Sequence, residues 1–268
     1  MLQFVLMSFF AFLVGILSSM IGVGGGFIVV PMLNMVFGFS MRLAVGTSLV
    51  MVVFTAFSST FAYVRQKRID YRLGLVMAVG SVPGALLGSS VVKLLPDKTL
   101  GAIFGIFLVA VALRMFLGSE TARKKSGPRR WGWARRIRDA EGEIFEYEVN
   151  VVASILLSVL AGFASGLLGV GGGAVAVPVM VLVLTMPMHL AVATSMFMMI
   201  FTSVTGAANH ILQGNVVFEA ALMLALGIVI GTQVGAHIAR RLEVKMLQRI
   251  FAVFLVLFGI YQTFKNLF

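Results

Sequence analysis

A glycine-rich motif occurs twice in this chain and limits the possible folds more than any other feature. Residues 22–26 read Gly-Val-Gly-Gly-Gly and are followed by Pro31; the same letters return 147 positions later at residues 169–173, followed by Pro178. Each glycine lowers helix stability by about 1 kcal/mol relative to alanine, so four within five positions interrupt any helix that passes through them. Both motifs lie inside long apolar runs, and a broken helix at membrane depth is tolerated only where its backbone is buried or lines a polar cavity. The two motifs are therefore the first candidates for a site.

The composition indicates a membrane protein. Hydrophobic residues make up 60% of the 268 residues, charged residues 12%, and the mean hydropathy is +1.04. Such a chain cannot form a soluble globular surface, and several of its apolar runs reach the roughly 20 residues that a spanning helix requires. No run alternates like the strands of an outer-membrane barrel, so the sequence predicts an all-α polytopic membrane protein. Cysteine is absent, which excludes disulfides, thiol chemistry and Cys-based metal sites.

The charge of the chain fits the same class. A net charge of +11 would suggest nucleic acid in a soluble protein, but in a membrane protein it is explained by the excess of Lys and Arg in cytoplasmic loops. We therefore expect the lipid bilayer, and no nucleic acid, as a partner. Residues 1–41 contain no Lys or Arg, and hence no basic n-region of a secretory signal, so we expect the first apolar segment to be retained.

The apolar runs divide the chain into a first membrane repeat, residues 1–117, a basic linker, residues 118–148, and a second membrane repeat, residues 149–268. Each repeat begins with a run too long for one crossing and too short for two, which predicts a helix, a glycine turn and a shorter returning half-helix. Three further spans follow in each repeat. The predicted spans are 43–64, 73–95, 100–117, 190–212, 216–239 and 247–264. We expect the linker to be solvated, with binding to anionic lipid headgroups as an alternative.

The two halves arise from a duplicated unit. The offset of 147 residues holds without a gap from Gly15 to about Val109. It aligns Thr47-Ser48 with Thr194-Ser195, and it aligns glycines 80, 84 and 88 with glycines 227, 231 and 235. Biased composition alone would give scattered matches with a drifting register, so duplication is the better explanation.

The distribution of Lys and Arg favours an inverted arrangement of the two repeats. If each glycine-broken segment enters and returns on one side, 17 of the 21 Lys and Arg residues lie on the inner side; if each half crosses four times and both halves point the same way, 14 do. Because Lys and Arg in short loops set the orientation, the sequence predicts inverted repeats with the central basic loop in the cytoplasm.

A repeated G-x-G-G-G stretch with a nearby proline, in an eight-segment chain with a basic central loop, resembles the sulfite exporter TauE/SafE family of membrane permeases. The resemblance covers nearly the whole chain. It implies transport of a small sulfur-containing anion, such as sulfite, sulfoacetate or another sulfonate, across the cytoplasmic (inner) membrane of a bacterium. The motif is typical of the family and does not define the substrate or the direction.

The chemistry of the motifs is compatible with an anion. Successive N–H groups of a glycine-rich turn form a concave nest, and a half-helix that starts there points its positive end at the same place. Inverted-repeat transporters bind anionic groups in this way near the bilayer midplane. Hydroxyl and amide side chains near the motifs could donate further hydrogen bonds. The candidate substrate-binding residues are Ser18, Ser19, Gly24, Gly25, Gly26, Thr47, Ser48, Ser165, Gly171, Gly172, Gly173, Thr194, Ser195, Asn209 and His210.

These residues also have plainer interpretations. The paired Thr-Ser dipeptides could only join helices by hydrogen bonds, and the glycines spaced by four residues are typical of close helix packing. His210 could be a gate or a proton carrier, or a side chain at the membrane interface. All ten Asp and Glu residues fall in loops or at span ends, so the sequence indicates no coupling ion.

An alternating-access transporter is therefore the favoured function. An anion channel or facilitator is the alternative, and a non-transporting assembly protein is a weaker one. An enzyme is not expected, because there is no H-E-x-x-H motif, no pair of intramembrane Asp residues and no cysteine. We expect no metal and no cofactor.

Overall fold

The structure is a computed structural model that describes residues 2–117 and 132–238, together with residues 256, 259–261 and 263. Most of the predicted span at residues 247–264, and the linker residues 118–131, lie outside the described residues. The first repeat contains α1 (Leu2–Ile21), α2 (Gly26–Met35), α3 (Met41–Arg65), α4 (Tyr71–Val92) and α5 (Asp97–Leu117). The linker contains β1 (Trp133–Arg138) and β2 (Ile144–Val149), and the second repeat contains α6 (Val151–Leu168), α7 (Gly173–Leu182), α8 (Met188–Leu212) and α9 (Phe218–Ile238).

The glycine motifs interrupt the helices as predicted. The long helix α1 ends at Ile21 and the ten-residue helix α2 begins at Gly26; α6 and α7 repeat this arrangement around residues 169–172. Polar side chains then cap the helices that follow turns: Ser40, Asp70 and Asn150 each accept a hydrogen bond from the backbone N–H three residues further on. The helix boundaries therefore follow from local chemistry.

The helices have the length and composition of membrane spans. Of the described helices, α3, α4, α6, α8 and α9 are long and apolar enough to cross a bilayer, and shorter apolar helices include α2 and α7. Large apolar side chains such as Phe57, Leu87 and Leu160 are exposed on the outer surface, as expected for a surface that faces lipid. The chain is a polytopic membrane protein.

The helices of one repeat pack mainly on helices of the other. The most extensive contacts join α1 with α9 and α4 with α6; α3 and α8 contact each other, and they also contact α9 and α4 respectively. At these seams glycine lets the backbones touch: a Cβ on Gly84 would overlap the carbonyl oxygen of Val159, and one on Gly231 would overlap that of Phe12. Gly231 and Val159 are the repeat equivalents of Gly84 and Phe12, so the two seams have the same construction.

One expectation is wrong: the chain is not all-α, because the described part of the linker contains two strands. Strands β1 and β2 form an antiparallel hairpin with a register that runs from Trp133 opposite Val149 to Arg138 opposite Ile144. Gly142, with φ +90°, lies in the connecting turn. Tyr147 and Val149 are buried in the same hydrophobic cluster as residues of the helices, and this packing stabilises a two-stranded hairpin that would be marginally stable alone.

Candidate functional site

The two glycine turns have a backbone that only glycine adopts readily. Gly22, Gly24 and Gly25 have φ angles of +83°, +87° and +82°, and Gly169, Gly171 and Gly172 have angles of +71°, +83° and +83°. An L-residue with a side chain is strained there by about 1–2 kcal/mol. The motif is therefore required for the shape of the turn.

Each turn presents unpaired backbone N–H groups at the start of a half-helix. Within the described residues, no hydrogen bond is made by the N–H groups of residues 23–26 or of residues 170–173. In each case the last glycine is the first residue of α2 or α7, so the positive end of the helix faces the same space. Four successive donors beside a helix N-terminus form a nest that suits an anion.

The two turns touch each other in the interior. A Cβ on Gly26 would collide with the carbonyl oxygen of Gly169, and a Cβ on Gly173 would collide with that of Gly22. The side chains of Val52 and Met199 lie against Gly24 and Gly171. Val52 and Met199 are equivalent positions in the two repeats. Neither is among the residues predicted from the sequence, although the 147-residue offset pairs them.

One serine ties each turn to the opposite repeat. The hydroxyl of Ser48 on α3 donates to the carbonyl oxygen of Gly169 at 3.0 Å. The hydroxyl of Ser195 on α8 lies 3.0 Å from the carbonyl oxygen of Gly22 and 2.8 Å from that of Val192 on its own helix, so its one proton is shared between these two acceptors. Both serines are fully buried. The candidate residues Ser48 and Ser195 thus contact the turns through carbonyl groups, which places them at the site as supports of its shape.

The neighbouring threonines hold the loops that face them. Thr194 Oγ1 accepts from the backbone N–H of Asp70 at 3.0 Å, and Thr47 Oγ1 accepts from that of Val217, again at 3.0 Å. Asp70 and Val217 are repeat equivalents at the ends of the loops before α4 and α9. The Thr-Ser dipeptides therefore connect each loop to a glycine turn across one peptide bond.

The serines before the turns differ between the repeats. Ser18 Oγ donates to the carbonyl oxygen of Gly15 at 3.3 Å, and Ser19 Oγ donates to that of Ile16 at 3.1 Å. Ser165, the equivalent of Ser18, is fully buried beside Gly172, and its hydroxyl has no hydrogen-bond partner among the described residues. A buried hydroxyl without a partner is costly, so Ser165 is available to a bound ligand.

His210 and Asn209 bond to neighbouring helices. His210 Nε2 lies 2.8 Å from the carbonyl oxygen of Gly166, while its Nδ1 is buried without a partner in the described chain. Its equivalent, Tyr63, donates to the carbonyl oxygen of Ser19, the equivalent of Gly166. The Asn209 amide donates to the hydroxyls of Ser89 and Ser90 at 2.7 Å and 3.0 Å. These two candidates are thus partly engaged in helix contacts.

A buried carboxylate that is not among the predicted site residues lies at the end of the α3–α4 loop. Asp70 is fully buried, and Arg135 donates to both of its oxygens, at 2.6 Å and 2.8 Å. Tyr147 donates to Oδ2 of Asp70 at 2.6 Å. One feature of the sequence could have identified Asp70: the 147-residue offset aligns this acidic residue with the apolar Val217 of the other repeat.

The electrostatics of this cluster favour the charged pair. Burial opposes ionisation of Asp70, but hydrogen bonds from Arg135, Tyr147 and the N–H of Leu73 outweigh it and hold the pKa of the carboxyl below its ordinary value. Burial, with the adjacent Asp70 carboxylate, raises the pKa of the Tyr147 phenol, so Tyr147 stays a neutral donor. Among the described residues no group of three or more His, Asp or Glu side chains could hold a metal ion.

Comparison with known proteins identifies what the chain is similar to. Residues 7–262 match the model of the family described as Sulfite exporter TauE/SafE. A "Probable membrane transporter protein YunE" of Bacillus subtilis is 34% identical over 274 residues, with 100% of both chains covered. A "Probable membrane transporter protein" of Methanocaldococcus jannaschii is 28% identical over 93% of this chain and 91% of its own length. No solved structure matches the chain.

Proposed function

Because the chain belongs to the sulfite exporter TauE/SafE family, and is a membrane transporter, we propose that it moves a small sulfur-containing anion by alternating access. The proposed substrate class is sulfite, sulfoacetate or a related sulfonate, and the proposed location is the bacterial cytoplasmic membrane. Such anions carry several oxygens around one sulfur. They can therefore accept hydrogen bonds from several N–H groups at once without a full positive charge in the site.

The observation that carries this proposal is the pair of nests. Eight backbone N–H groups, at residues 23–26 and 170–173, are unpaired within the described chain, and they belong to two turns that touch each other. Buried backbone donors in a native protein are almost always paired, so two complete sets without acceptors point to a ligand that accepts hydrogen bonds. Ser165, with its unpaired hydroxyl beside Gly172, adds a side-chain donor.

We propose that the two repeats are inverted. Contacts at the two ends of the helices support this arrangement. Arg42 at the start of α3 pairs with Asp97 at the start of α5 at 3.5 Å, while Gln66 just after α3 donates to Ala236 near the end of α9. In the second repeat Gln213 just after α8 donates to Ser89 near the end of α4 in the same manner.

The hydrogen bonds of the two Thr-Ser dipeptides provide a mechanism for alternating access in this proposal. Ser195 and Thr194 join the first turn to the loop that ends at Asp70, and Ser48 and Thr47 join the second turn to the loop that ends at Val217. Each loop and turn can move as one unit against Val52 and Met199, which lie between the turns. Opening one unit while the other stays closed would expose the anion to one side at a time.

Flux through vesicles tests the function. Protein in liposomes should take up labelled sulfite or sulfoacetate, the uptake should saturate, and unlabelled anion loaded inside should accelerate it, since exchange is typical of a carrier. Saturable uptake without such acceleration favours a facilitator. No uptake of any of sulfite, sulfoacetate, taurine or thiosulfate above empty liposomes contradicts the proposal.

A matched pair of glycine variants connects the flux to the turns. Gly24→Ala places a methyl group at a φ of +87° against Met199, whereas Gly38→Ala places one at +72° with nothing within 4 Å. Both substitutions strain the backbone by a similar amount, about 1–2 kcal/mol. We expect Gly24→Ala to lower uptake at least about tenfold and Gly38→Ala to leave it near wild type.

A further inference from the structure

The hairpin of the linker, β1 and β2, is docked on one specific loop of the membrane domain. The backbone N–H of Ala140 donates to the carbonyl oxygen of Gln66 at 3.0 Å. Arg68 pairs with Asp139 at 3.3 Å and with Glu141 at 3.4 Å. The hairpin thus contacts the α3–α4 loop, residues 66–70, through both backbone and side chains.

The strongest contact is the buried cluster at Asp70. Arg135 from β1 and Tyr147 from β2 both donate to its carboxylate, so both strands of the hairpin are fixed to one side chain. Arg135 is held in position by the Trp133 ring, which lies 4.5 Å from its guanidinium. A buried carboxylate with a bidentate arginine is stable when paired and strongly unfavourable when one partner leaves. The contact is therefore suited to two distinct states, docked and undocked.

Asp70 is also joined to the first glycine turn. Its backbone N–H donates to Thr194 Oγ1, and the next residue, Ser195, donates to the carbonyl oxygen of Gly22. The hairpin is consequently connected to the first glycine turn through three hydrogen bonds, the first of them to the Asp70 side chain, and one peptide bond.

The other repeat shows that the carboxylate is not needed to fold the loop. Val217, the equivalent of Asp70, makes the same backbone hydrogen bond to Thr47 without a charged side chain. The loop at residues 213–217 contains no acidic or basic residue. Asp70 therefore has a role beyond loop structure, and the structure shows it to be the attachment of the hairpin.

We propose that the linker hairpin is a latch on one face of the transporter, and that the contact of Asp70 with Arg135 and Tyr147 keeps that face closed. When the hairpin undocks, the loop at residues 66–70 can leave Thr194 and the first glycine turn opens toward the side on which the linker lies. The latch regulates the proposed transport and so rests on it. A static clamp, which never leaves the loop, is the competing possibility.

Thiol labelling tests whether the hairpin leaves. The chain has no cysteine, so Ile69→Cys, at a buried position between Arg68 and Asp70, introduces a single thiol. In this background Arg135→Gln and Tyr147→Phe should each raise the rate of maleimide labelling at least about tenfold. Arg136→Gln is the matched control, because Arg136 pairs with Glu146 while both side chains are 69% exposed, and its labelling rate should not change. Tyr147→Phe removes only one hydroxyl, so it remains informative if Arg135→Gln does not fold.

Cross-linking tests whether undocking is needed for transport. In Arg68→Cys/Asp139→Cys, a short bifunctional methanethiosulfonate reagent should fix the hairpin on the loop and lower anion flux at least about tenfold, and a thiol reductant should restore it. Arg68→Cys alone with the same reagent should keep its flux. Equal labelling rates in the wild-type hairpin, Arg135→Gln and Tyr147→Phe, or full flux after complete cross-linking, would overturn the latch. If the wild type moves none of the anions, the proposed function fails, and the labelling rates still decide whether the hairpin undocks.

Discussion

At the scale of single residues, some hydrogen bonds of the site occur in both repeats, and one equivalent pair of serines differs in its hydrogen bonding. Ser48 and Ser195 bind the carbonyl of the opposite glycine turn at the same distance, whereas Ser18 has a protein partner and Ser165 has none among the described residues. Equal contacts in both repeats indicate support of the fold. The difference between Ser18 and Ser165 indicates that a ligand can supply the hydrogen-bond partner that the Ser165 hydroxyl lacks.

The supporting serines should matter for stability. Ser48→Ala and Ser195→Ala each leave a buried carbonyl without its donor, so each should lower the free energy of unfolding by about 1–3 kcal/mol. Ser154→Ala is the control, since the Ser154 hydroxyl bonds only to the carbonyl of Asn150 one turn earlier on the same segment. Thermal unfolding in detergent measures all three. Unfolding midpoints that match the control would show that these hydroxyls do not support the turns.

Ser165 should matter for binding instead. Its hydroxyl has no partner to lose within the described chain, so Ser165→Ala should leave the stability of the unliganded protein unchanged or slightly raised. A hydrogen bond to a charged group contributes about 1.5–3 kcal/mol, so the affinity for the anion should fall roughly tenfold or more. Ligand-dependent thermal shift measures both effects in one titration. An unchanged shift with sulfite and sulfonates would remove Ser165 from the site.

At the scale of helices, two equivalent seams hold the repeats together. At each seam a glycine on one helix lies on a carbonyl of the other, as Gly84 does on Val159 and Gly231 on Phe12. Close backbone approach of this kind replaces the hydrophobic effect as the driving force for helix association in lipid. The equality of the seams is a direct consequence of the duplicated sequence.

Replacing these glycines with alanine should lower the stability of the protein, although alanine has the higher helix propensity. Gly84→Ala and Gly231→Ala would each gain up to about 1 kcal/mol of intrinsic helix stability, yet each methyl group would overlap a backbone carbonyl that cannot move aside. We expect both variants to unfold at lower temperature, by similar amounts because the seams are equivalent. An increase in the unfolding temperature of either variant would contradict the close packing.

The elements that were predictable are those determined by local sequence. Four glycines in five positions end α1 and α6 wherever those helices pack, so the broken helices could be predicted. The hairpin could not, because its strand at Trp133–Arg138 is rich in arginine and reads as solvated. Its order depends on Asp70, which lies 65 residues from Arg135 in the chain. Contacts between the repeats, such as that of Ser48 with Gly169, also depend on tertiary packing that no local pattern encodes.

At the scale of the whole molecule, the described helices of the two repeats are equivalent in arrangement, whereas the hairpin has no counterpart in the described part of the chain. Its attachment at Asp70 has a defined dependence on pH. The pKa of Asp70 is lowered from its ordinary value of 3.8. A carboxyl with a lowered pKa contributes its full stabilisation above the unfolded value and loses it as the pH falls through the folded value. The hairpin should therefore stay docked at all moderately acidic pH values.

This dependence can be measured with the thiol at position 69. The maleimide labelling rate of Ile69→Cys, corrected for thiolate formation, should be flat between about pH 8 and pH 5 because Asp70 stays ionised throughout. In Asp70→Asn the corrected rate should be higher at every pH and equally flat. A rise of the corrected rate between pH 6 and pH 5 in the wild-type hairpin would show that another group controls docking.

The central claim, that the paired glycine turns hold the anion, is tested most directly by locating a bound anion. Selenite resembles sulfite in charge and geometry, and its selenium can be found by anomalous scattering from crystals of the protein. The account predicts a selenium peak within hydrogen-bonding distance of the N–H groups of residues 23–26 or 170–173, and loss of that peak in Gly24→Ala/Gly171→Ala. A peak at another place at saturating selenite, with both turns empty, would contradict it.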